Sequence, residues 1–213
     1  MNDLAAMREQ YDDGGLDESE AGSDPQDLFA RWFDDWLATE PFDANAMILS
    51  TVDSDGWPSA RAVLLKGFDD RGLVFYTNYS SDKARQLDRS GRAALTFLWE
   101  PLLRQVRISG DVTRVGAEES DEYFASRPRG SQIGAWASEQ SSVIAGREVL
   151  ERAVERVEQR FPGDVPRPPH WGGYLLSPTI VEFWHGRVSR LHDRIRFRSE
   201  PGSGAWIRER LSP

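Results

Sequence analysis

The amino-acid sequence predicts a mainly β fold, a closed or split antiparallel barrel with peripheral helices. Three observations predict it. Six or more β-prone runs are separated by tight-turn signals. The helical stretches are few and lie outside that succession of strands. An antiparallel meander of this length hides its exposed edges best by closing. The 213 residues suffice for one substantial core, and neither an internal repeat nor a second regime of composition divides them. Residues 24–213 therefore read as one domain.

Each element has a local reason. Residues 1–23 are polar and acidic and contain Gly14, Gly15 and Gly22, so a mobile arm is expected rather than a packed element. Ser23-Asp24-Pro25 opens a helix with a capping side chain followed by a proline that has no amide to satisfy. Leu28, Phe29, Trp32, Phe33, Trp36 and Leu37 recur at 3–4 residue spacing as one apolar stripe, and Pro41 ends the run. Met47–Val52, Arg61–Phe68 and Leu73–Thr77 read as strands joined by turns at Asp53–Gly56 and Asp69–Gly72. A short helix is expected over Ser80–Arg89, then strands over Ala93–Trp99 and Gln105–Val115. Residues 117–126 and 146–161 follow as helices, the latter exposed, amphipathic and laced with opposite charges four residues apart. After the proline-rich connector 162–169 come strands at Gly173–Leu176, Ile180–Trp184, Arg194–Arg198 and Ala205–Arg208.

Composition excludes several classes of function. No run approaches the roughly 20 apolar residues of a membrane span, and the N-terminus lacks the pattern of a secretory signal, so a cytoplasmic protein with no membrane partner is expected. Without cysteine there is no disulfide, thiolate nucleophile or Cys-based metal site, and His170, His185 and His192 are not spaced as zinc ligands. The net charge is −9, and residues 1–27 carry nine acids against one base, Arg8, so −8 of it resides there. The remaining chain is almost neutral and shows no basic excess for nucleic acid. An anionic ligand must be caught by a local group of bases. Of 26 bases only two are lysines, Lys66 and Lys83, and both fall in the segments described next.

Arg61-Ala62-Val63-Leu64-Leu65-Lys66 reads as a strand with Arg61, Val63 and Leu65 on one face and Leu64 and Lys66 on the other. An ordinary half-buried strand would look the same. Phe75-Tyr76-Thr77-Asn78 leads into Ser80-Ser81-Asp82-Lys83, where helix N-terminal amides and a lysine suit a phosphate. Tyr123 and Arg127 share a helical face, Pro128 ends that helix, and Ser131 approaches from the following turn. Together they form a second candidate phosphate clamp, or simply a surface helix terminus. Arg190, His192 and Arg194 alternate, so on an extended segment they project from one face. Three such groups repel unless an anion or polar ring lies against them, and nearby Trp184 and Leu191 point to a partly buried setting.

These segments resemble the pyridoxine/pyridoxamine 5′-phosphate oxidase family over about Arg8–Pro213. The resemblance is carried, in order, by RAVLLK (61–66), VFYTN (74–78), SRPRGSQIGAWASEQSS (126–142), EFW (182–184), RLHDR (190–194) and WIRERLSP (206–213). It implies an FMN-binding split barrel whose homodimer builds two FMN sites at the subunit interface. FMN would be held by Arg61, Ala62, Val63, Leu64, Leu65, Lys66, Tyr76, Thr77, Lys83, Gln105, Gln140, Ser141, Trp184 and Arg194. Lys66, Tyr123, Arg127 and Ser131 would hold the substrate phosphate. Arg190 and His192 would lie against the pyridine ring as the catalytic pair, and Arg8 through Tyr11 would form a lid. The implied reaction oxidises pyridoxamine or pyridoxine 5′-phosphate to pyridoxal 5′-phosphate by hydride transfer from C4′ to flavin N5, the imine formed from the amine then being hydrolysed by water with release of ammonia. O₂ then reoxidises the flavin, giving hydrogen peroxide.

Two positions depart from the family pattern. Asp82 stands where a basic residue often precedes the helix lysine, and is expected to cap the helix and point away. Leu16–Glu20 is acidic where some members have arginines, so an accessory phosphate site built on those bases is not expected. Two rival readings remain: an oxidase of the phenazine-pathway type acting on an unphosphorylated aromatic acid, and a flavin-binding module without oxidase chemistry.

Overall fold

The Asp24 carboxylate accepts a hydrogen bond from the Gln26 amide at 2.8 Å and Pro25 takes the first helical position, fixing the start of the helix Pro25–Leu37. The computed structural model describes Tyr11 and residues 14–213. Among them, helices are α1 (Glu18–Ala21), α2 (Pro25–Leu37), α3 (Asp82–Ser90), α4 (Ala117–Ser126), α5 (Arg129–Ala137) and α6 (Arg147–Arg160). Strands β1 (Ala46–Val52), β2 (Pro58–Leu64), β3 (Gly67–Asp69), β4 (Gly72–Asn78) and β5 (Arg92–Trp99) come from the first half. β6 (Arg104–Arg114), β7 (Trp171–His185), β8 (Asp193–Ser199) and β9 (Trp206–Arg210) complete the set. The hydrogen-bonded order is β2-β1-β5-β6-β7-β4-β3, with β8 paired to β7 and β9 to β8. The fold class is mainly antiparallel β with peripheral helices, as the sequence predicts. No described helix is long and apolar enough to cross a membrane.

The chain divides into two compact units, neither continuous in sequence. The first takes described residues up to Leu49, then Ala94–Gly110 and Pro178–Pro213. In its core, Phe29 and Trp32 of α2 meet Phe97 at 5.1 Å and Phe183 at 5.3 Å between ring centroids, and Phe183 meets Phe197 at 5.9 Å. The predicted stripe of α2 is buried at Leu28, Phe29 and Trp32, while Leu37 at its end is exposed. The expected unpacked arm differs over its last residues: Leu16 and Ala21 are 3% and 0% exposed, and Asp17 caps α1. These two apolar side chains inside an acidic stretch are buried as the segment packs.

The second unit takes Ser50–Ala93 and Asp111–Ser177. Its helical layer is organised by Phe124, Ile133, Val165 and Trp171, against which Val154 and Val157 of the otherwise exposed α6 pack. Three differences from the sequence reading lie here or border it. Arg61–Phe68 is not one strand: β2 pairs with β1 and β3 with β4, so the chain changes partner at Leu65–Lys66. Residues 129–137 form α5, so Ser131 lies in a helical first turn. Gly130 and Gly134 lower the helical propensity of this segment, but burial of Ile133 holds the helix in place. The two strands expected at Gly173–Leu176 and Ile180–Trp184 are one strand, β7. Pro178 falls between the last partner in β4 (Leu73 opposite Leu176) and the first in β8 (Arg198 opposite Ile180), where its missing N–H breaks neither ladder.

β4 and β7 set the geometry of the future site. Gly173 lies opposite Tyr76 in their register. A Cβ at Gly173 would stand 2.8 Å from Tyr76 Cε1 and 2.6 Å from Val115 Cγ2, so glycine makes the room in which the Tyr76 ring lies. Gly173→Ala is therefore expected to cost about 1–3 kcal/mol through overpacking, measured as a Tm lowered by several degrees, with a change in the tyrosine near-UV dichroism. Gly163→Ala, where an added Cβ meets nothing within 4 Å, should leave both unchanged.

Candidate active site

A cavity of about 610 Å³ opens in the second unit, a volume suited to a small organic ligand. Ala62, Val63 and Leu64 of β2 and the following Lys66 form one wall; Tyr76, Thr77 and Asn78 of β4 form another. Lys83 of α3, Gln140, and the α4–α5 residues Tyr123, Arg127, Pro128 and Ser131 complete the polar lining. All four residues expected to hold a substrate phosphate thus meet in one cavity with eight of those expected to hold a flavin. Of the remaining expected flavin residues in this unit, Arg61, Leu65 and Ser141 do not line the cavity. Leu65 is 6% exposed, and Arg61 Nη1 donates to Thr51 Oγ1 at 2.6 Å.

Two features of this cavity are electrostatic. The Lys83 ammonium donates to Thr77 Oγ1 and Gln140 Oε1, each at 3.2 Å. Burial holds it below the ordinary lysine value, nearby Arg61 lowers it further, and Asp82 opposes both. An anion beside Lys83 would relieve that penalty. Arg127 is the second feature: its Nη1 is buried with no hydrogen-bond partner among the described residues, and burial lowers the guanidinium value. The guanidinium lies 4.5 Å from the Trp171 ring centre, at the end of a ladder in which Tyr76 stacks on Tyr123 at 4.0 Å and on Trp171 at 5.4 Å. Aromatic contact cannot replace an acceptor, so a buried guanidinium nitrogen calls for an oxyanion. Burial also pushes the Tyr76 hydroxyl up to about 12, so it stays protonated beside such an anion.

The N-terminus of α3 is less open than the sequence reading has it. The Asp82 amide donates to Ser141 Oγ at 3.2 Å and the Ala84 amide to Ser81 Oγ at 3.4 Å. Ser81, not Asp82, caps the helix, and the Asp82 carboxylate pairs with Arg85.

The other expected site residues belong to the first unit. Trp184 and His192 pack at 4.6 Å between ring centres, and Tyr11 approaches them at 6.3 and 5.7 Å. Arg194 lies opposite Trp184 in the β7–β8 register; its Nε and Nη2 bind Glu182 Oε1 at 3.0 and 2.9 Å, and its Nη1 the Ser212 carbonyl at 2.9 Å. Gln105 lies half-buried on β6. Arg8 lies outside the described residues.

The alternation expected of Arg190, His192 and Arg194 does not occur. Val188–Arg190 forms a 3₁₀ turn with Ser189 and Arg190 at φ 56° and 61°, closed by the Leu191 amide on the Val188 carbonyl, and Leu191 is 68% exposed. The turn brings the Arg187 amide to within 3.1 Å of His192 Nδ1. That ring nitrogen must therefore accept, which places the proton of the neutral ring on Nε2. Burial and then Arg190 hold His192 below the ordinary histidine value.

Sequence reasoning missed several lining residues. Asn78, whose Nδ2 donates to the Ser138 carbonyl at 3.2 Å, lies inside the quoted VFYTN segment, and Trp171 opens β7. Glu182, 7% exposed and holding Arg194, is the first residue of EFW; a carboxylate inside an apolar strand was the available signal.

Comparison with known proteins gives the same direction. Residues 34–161 match the family described as pyridoxamine 5′-phosphate oxidase, and residues 171–213 match the pyridoxine 5′-phosphate oxidase C-terminal dimerisation region. The chain is 54% identical over 213 residues to a pyridoxine/pyridoxamine 5′-phosphate oxidase of Cupriavidus necator, covering 100% of both chains. It is likewise 54% identical to one of Pseudomonas paraeruginosa, covering 99% of this chain and 98% of the relative. Among solved structures, PhzG of Burkholderia lata bound to tetrahydrophenazine-1-carboxylic acid is 30% identical, with a TM-score of 0.87 over 94% of this chain and 99% of that one. An FMN-binding protein of Nostoc punctiforme, 18% identical with a TM-score of 0.72 over 89% of this chain and 98% of that one, shares the fold.

The histidines offer a direct check. His185 is also held below 6.5, first by burial, with its Nδ1 donating to the Gly186 carbonyl at 3.0 Å. Both rings should titrate below 6.5 when followed by proton NMR of the ring hydrogens. Their folded values lie below the unfolded one, so the linked stability is complete above pH 6.5 and is lost as pH falls through the folded values. A ring that is charged at pH 7 would contradict the tautomer assigned to His192.

Proposed function

Because the chain belongs to the pyridoxine/pyridoxamine 5′-phosphate oxidase family, we propose that it oxidises pyridoxamine and pyridoxine 5′-phosphate to pyridoxal 5′-phosphate with FMN as cofactor and O₂ as acceptor. The reading is of a cytoplasmic homodimer with FMN at the subunit interface. The observation that carries it is Arg127, whose buried Nη1 has no partner among the described residues, in the same cavity as the desolvated Lys83. One cavity thus presents two separate cationic positions, matching a cofactor and a substrate that each bear a phosphate.

The roles follow from chemistry. Lys83, with Thr77 and Gln140 fixing its ammonium, is assigned to the FMN phosphate, with Arg61–Lys66, Tyr76 and Ser141 along the rest of the cofactor. Lys66, Tyr123, Arg127 and Ser131 are assigned to the vitamer phosphate. Gln105, Trp184 and Arg194 are the remaining cofactor residues; Glu182 holds the Arg194 guanidinium in one orientation. Arg190 and His192 are assigned to the vitamer ring, with Arg8 and Tyr11 covering it. His192 offers an Nε2–H donor whose tautomer the Arg187 amide fixes, so its part is orientation and charge placement. When bound, FMN would supply the redox chemistry, a two-electron oxidation of the vitamer with O₂ reduced to hydrogen peroxide; for the amine, water would hydrolyse the imine and release ammonia.

A second reading has its own support: the likeness to PhzG extends over nearly the whole chain. The carboxylate of such a substrate would also serve as an acceptor for Arg127, but a phosphate uses more of the donors offered together by Lys66, Tyr123, Arg127 and Ser131, which favours the first reading.

Three measurements test it. Anaerobic addition of pyridoxamine 5′-phosphate should bleach the flavin absorbance of the holoenzyme; absence of bleaching contradicts the oxidase reading. Arg127→Gln should raise the KM for phosphorylated vitamers by roughly 10- to 100-fold, the range of one lost charge-assisted bond. Lys83→Gln should weaken FMN binding by a similar factor, read by recovery of flavin fluorescence. An unchanged KM in Arg127→Gln would overturn the assignment of Arg127 to the vitamer phosphate.

A further inference from the structure

We propose that Asp193 and Arg210 are positioning residues that clamp the N-terminal segment onto β8 and β9 and so hold Tyr11 against His192. The consequence for catalysis rests on the function proposed above; the clamp itself does not.

The Asp193 carboxylate joins separate parts of the first unit. Oδ2 accepts from the Leu16 amide at 3.1 Å and from Arg187 Nη1 at 3.3 Å, while Oδ1 accepts from Arg210 Nη1 at 2.6 Å. Arg210 uses all three guanidinium nitrogens. Besides Asp193, its Nε and Nη2 grip the two oxygens of Glu18 at 2.6 and 3.0 Å, and Nη2 also donates to the Leu16 carbonyl at 3.0 Å. On the same strand as Arg210, Arg208 Nη1 donates to the Glu18 carbonyl at 2.6 Å and to the Gly22 carbonyl. A helix of four residues has no stability of its own. The place of α1 is therefore set by these contacts, with Leu16 and Ala21 buried beneath it. Exposed ion pairs contribute little singly, but here a two-pronged guanidinium–carboxylate pair shares its guanidinium with a second carboxylate and a carbonyl.

The segment beyond the clamp passes close to the end of β7. A Cβ on Gly14 would stand 2.8 Å from Cε1 of the buried His185, and one on Gly186 would stand 3.0 Å from Tyr11 Cδ2. Glycine at both positions leaves room for this packing, and the Tyr11 ring lies against Trp184 and His192. Arg210 holds the Glu18 carboxyl down to about 2, so the clamp stays charged throughout the physiological range and acts as a fixed anchor rather than a pH switch. The acids that leave the N-terminal stretch so negative thus include partners for cations at the end of the chain.

Hydrogen–deuterium exchange of the holoenzyme tests the anchor, and NMR tests its purpose. In Arg210→Gln and Asp193→Asn, protection of the Leu16–Ala21 amides should be lost, and the His192 ring-proton resonance should move as it does in Tyr11→Ala, because the tyrosine ring current is withdrawn. Combining Arg210→Gln with Tyr11→Ala should move it no further. Glu18→Gln, which leaves the strand side intact, should shift both readouts in the same direction by less. The KM for pyridoxamine 5′-phosphate should rise roughly tenfold in Arg210→Gln, and that rise should vanish in the Tyr11→Ala background. Unchanged protection overturns the clamp; lost protection with an unmoved His192 resonance overturns the positioning role. If the wild type does not oxidise the vitamers, the proposed function fails while exchange and NMR still decide this one.

Discussion

The antiparallel pairing of β7 is the constraint on which the other features depend. Over Trp171–Leu176 it pairs with β4, and over Ile180–His185 with β8. The first pairing sets Gly173 opposite Tyr76 and so makes room for the aromatic ladder beneath Arg127. The second sets Trp184 opposite Arg194, with Glu182 two residues away to hold that arginine. A one-residue slip would turn every one of these side chains to the opposite face. Pro178 sits at the changeover, on the stretch where neither ladder needs its amide.

The cavity's chemistry is that of cations kept partly from water. Lys83 and Arg127 are both lowered chiefly by burial, the sign expected when the counter-charge comes with a ligand and not from a neighbouring carboxylate. The first unit shows the contrasting case. There Arg194 and Arg210 already have carboxylates, Glu182 and Glu18 with Asp193, and serve to fix geometry. The same residue type therefore stands in two settings: Arg194 and Arg210 are paired with carboxylates, whereas Arg127 keeps a buried nitrogen with no partner among the described residues.

Much of this was legible in the sequence, because local rules were consistent with the fold. The Asp24-Pro25 cap, the α2 stripe and most strand positions follow from chemistry acting within a few residues. Part of the cavity lining was legible as well, since Tyr123 and Arg127 need only a helix to share a face, whereas Asn78 and Trp171 escaped. What escaped depends on partners distant in sequence. No local signal tells that the chain changes partner at Leu65–Lys66, or that Ile133 binds the glycine-containing α5 to its place. The turn at Ser189–Arg190 places a positive φ on two residues that are not glycine, which propensity disfavours and the Arg187–His192 contact accompanies. The division into two units was invisible for a related reason: each is assembled from separated stretches, so composition changes at no single point.

Phosphorus-31 NMR of the holoenzyme titrated with pyridoxal 5′-phosphate decides whether one cavity takes two phosphates at separate cationic positions. Two resolved bound resonances are expected, with the vitamer signal lost in Arg127→Gln while the FMN signal is retained, and the FMN signal weakened in Lys83→Gln. A bound vitamer resonance that survives Arg127→Gln unchanged would contradict that expectation.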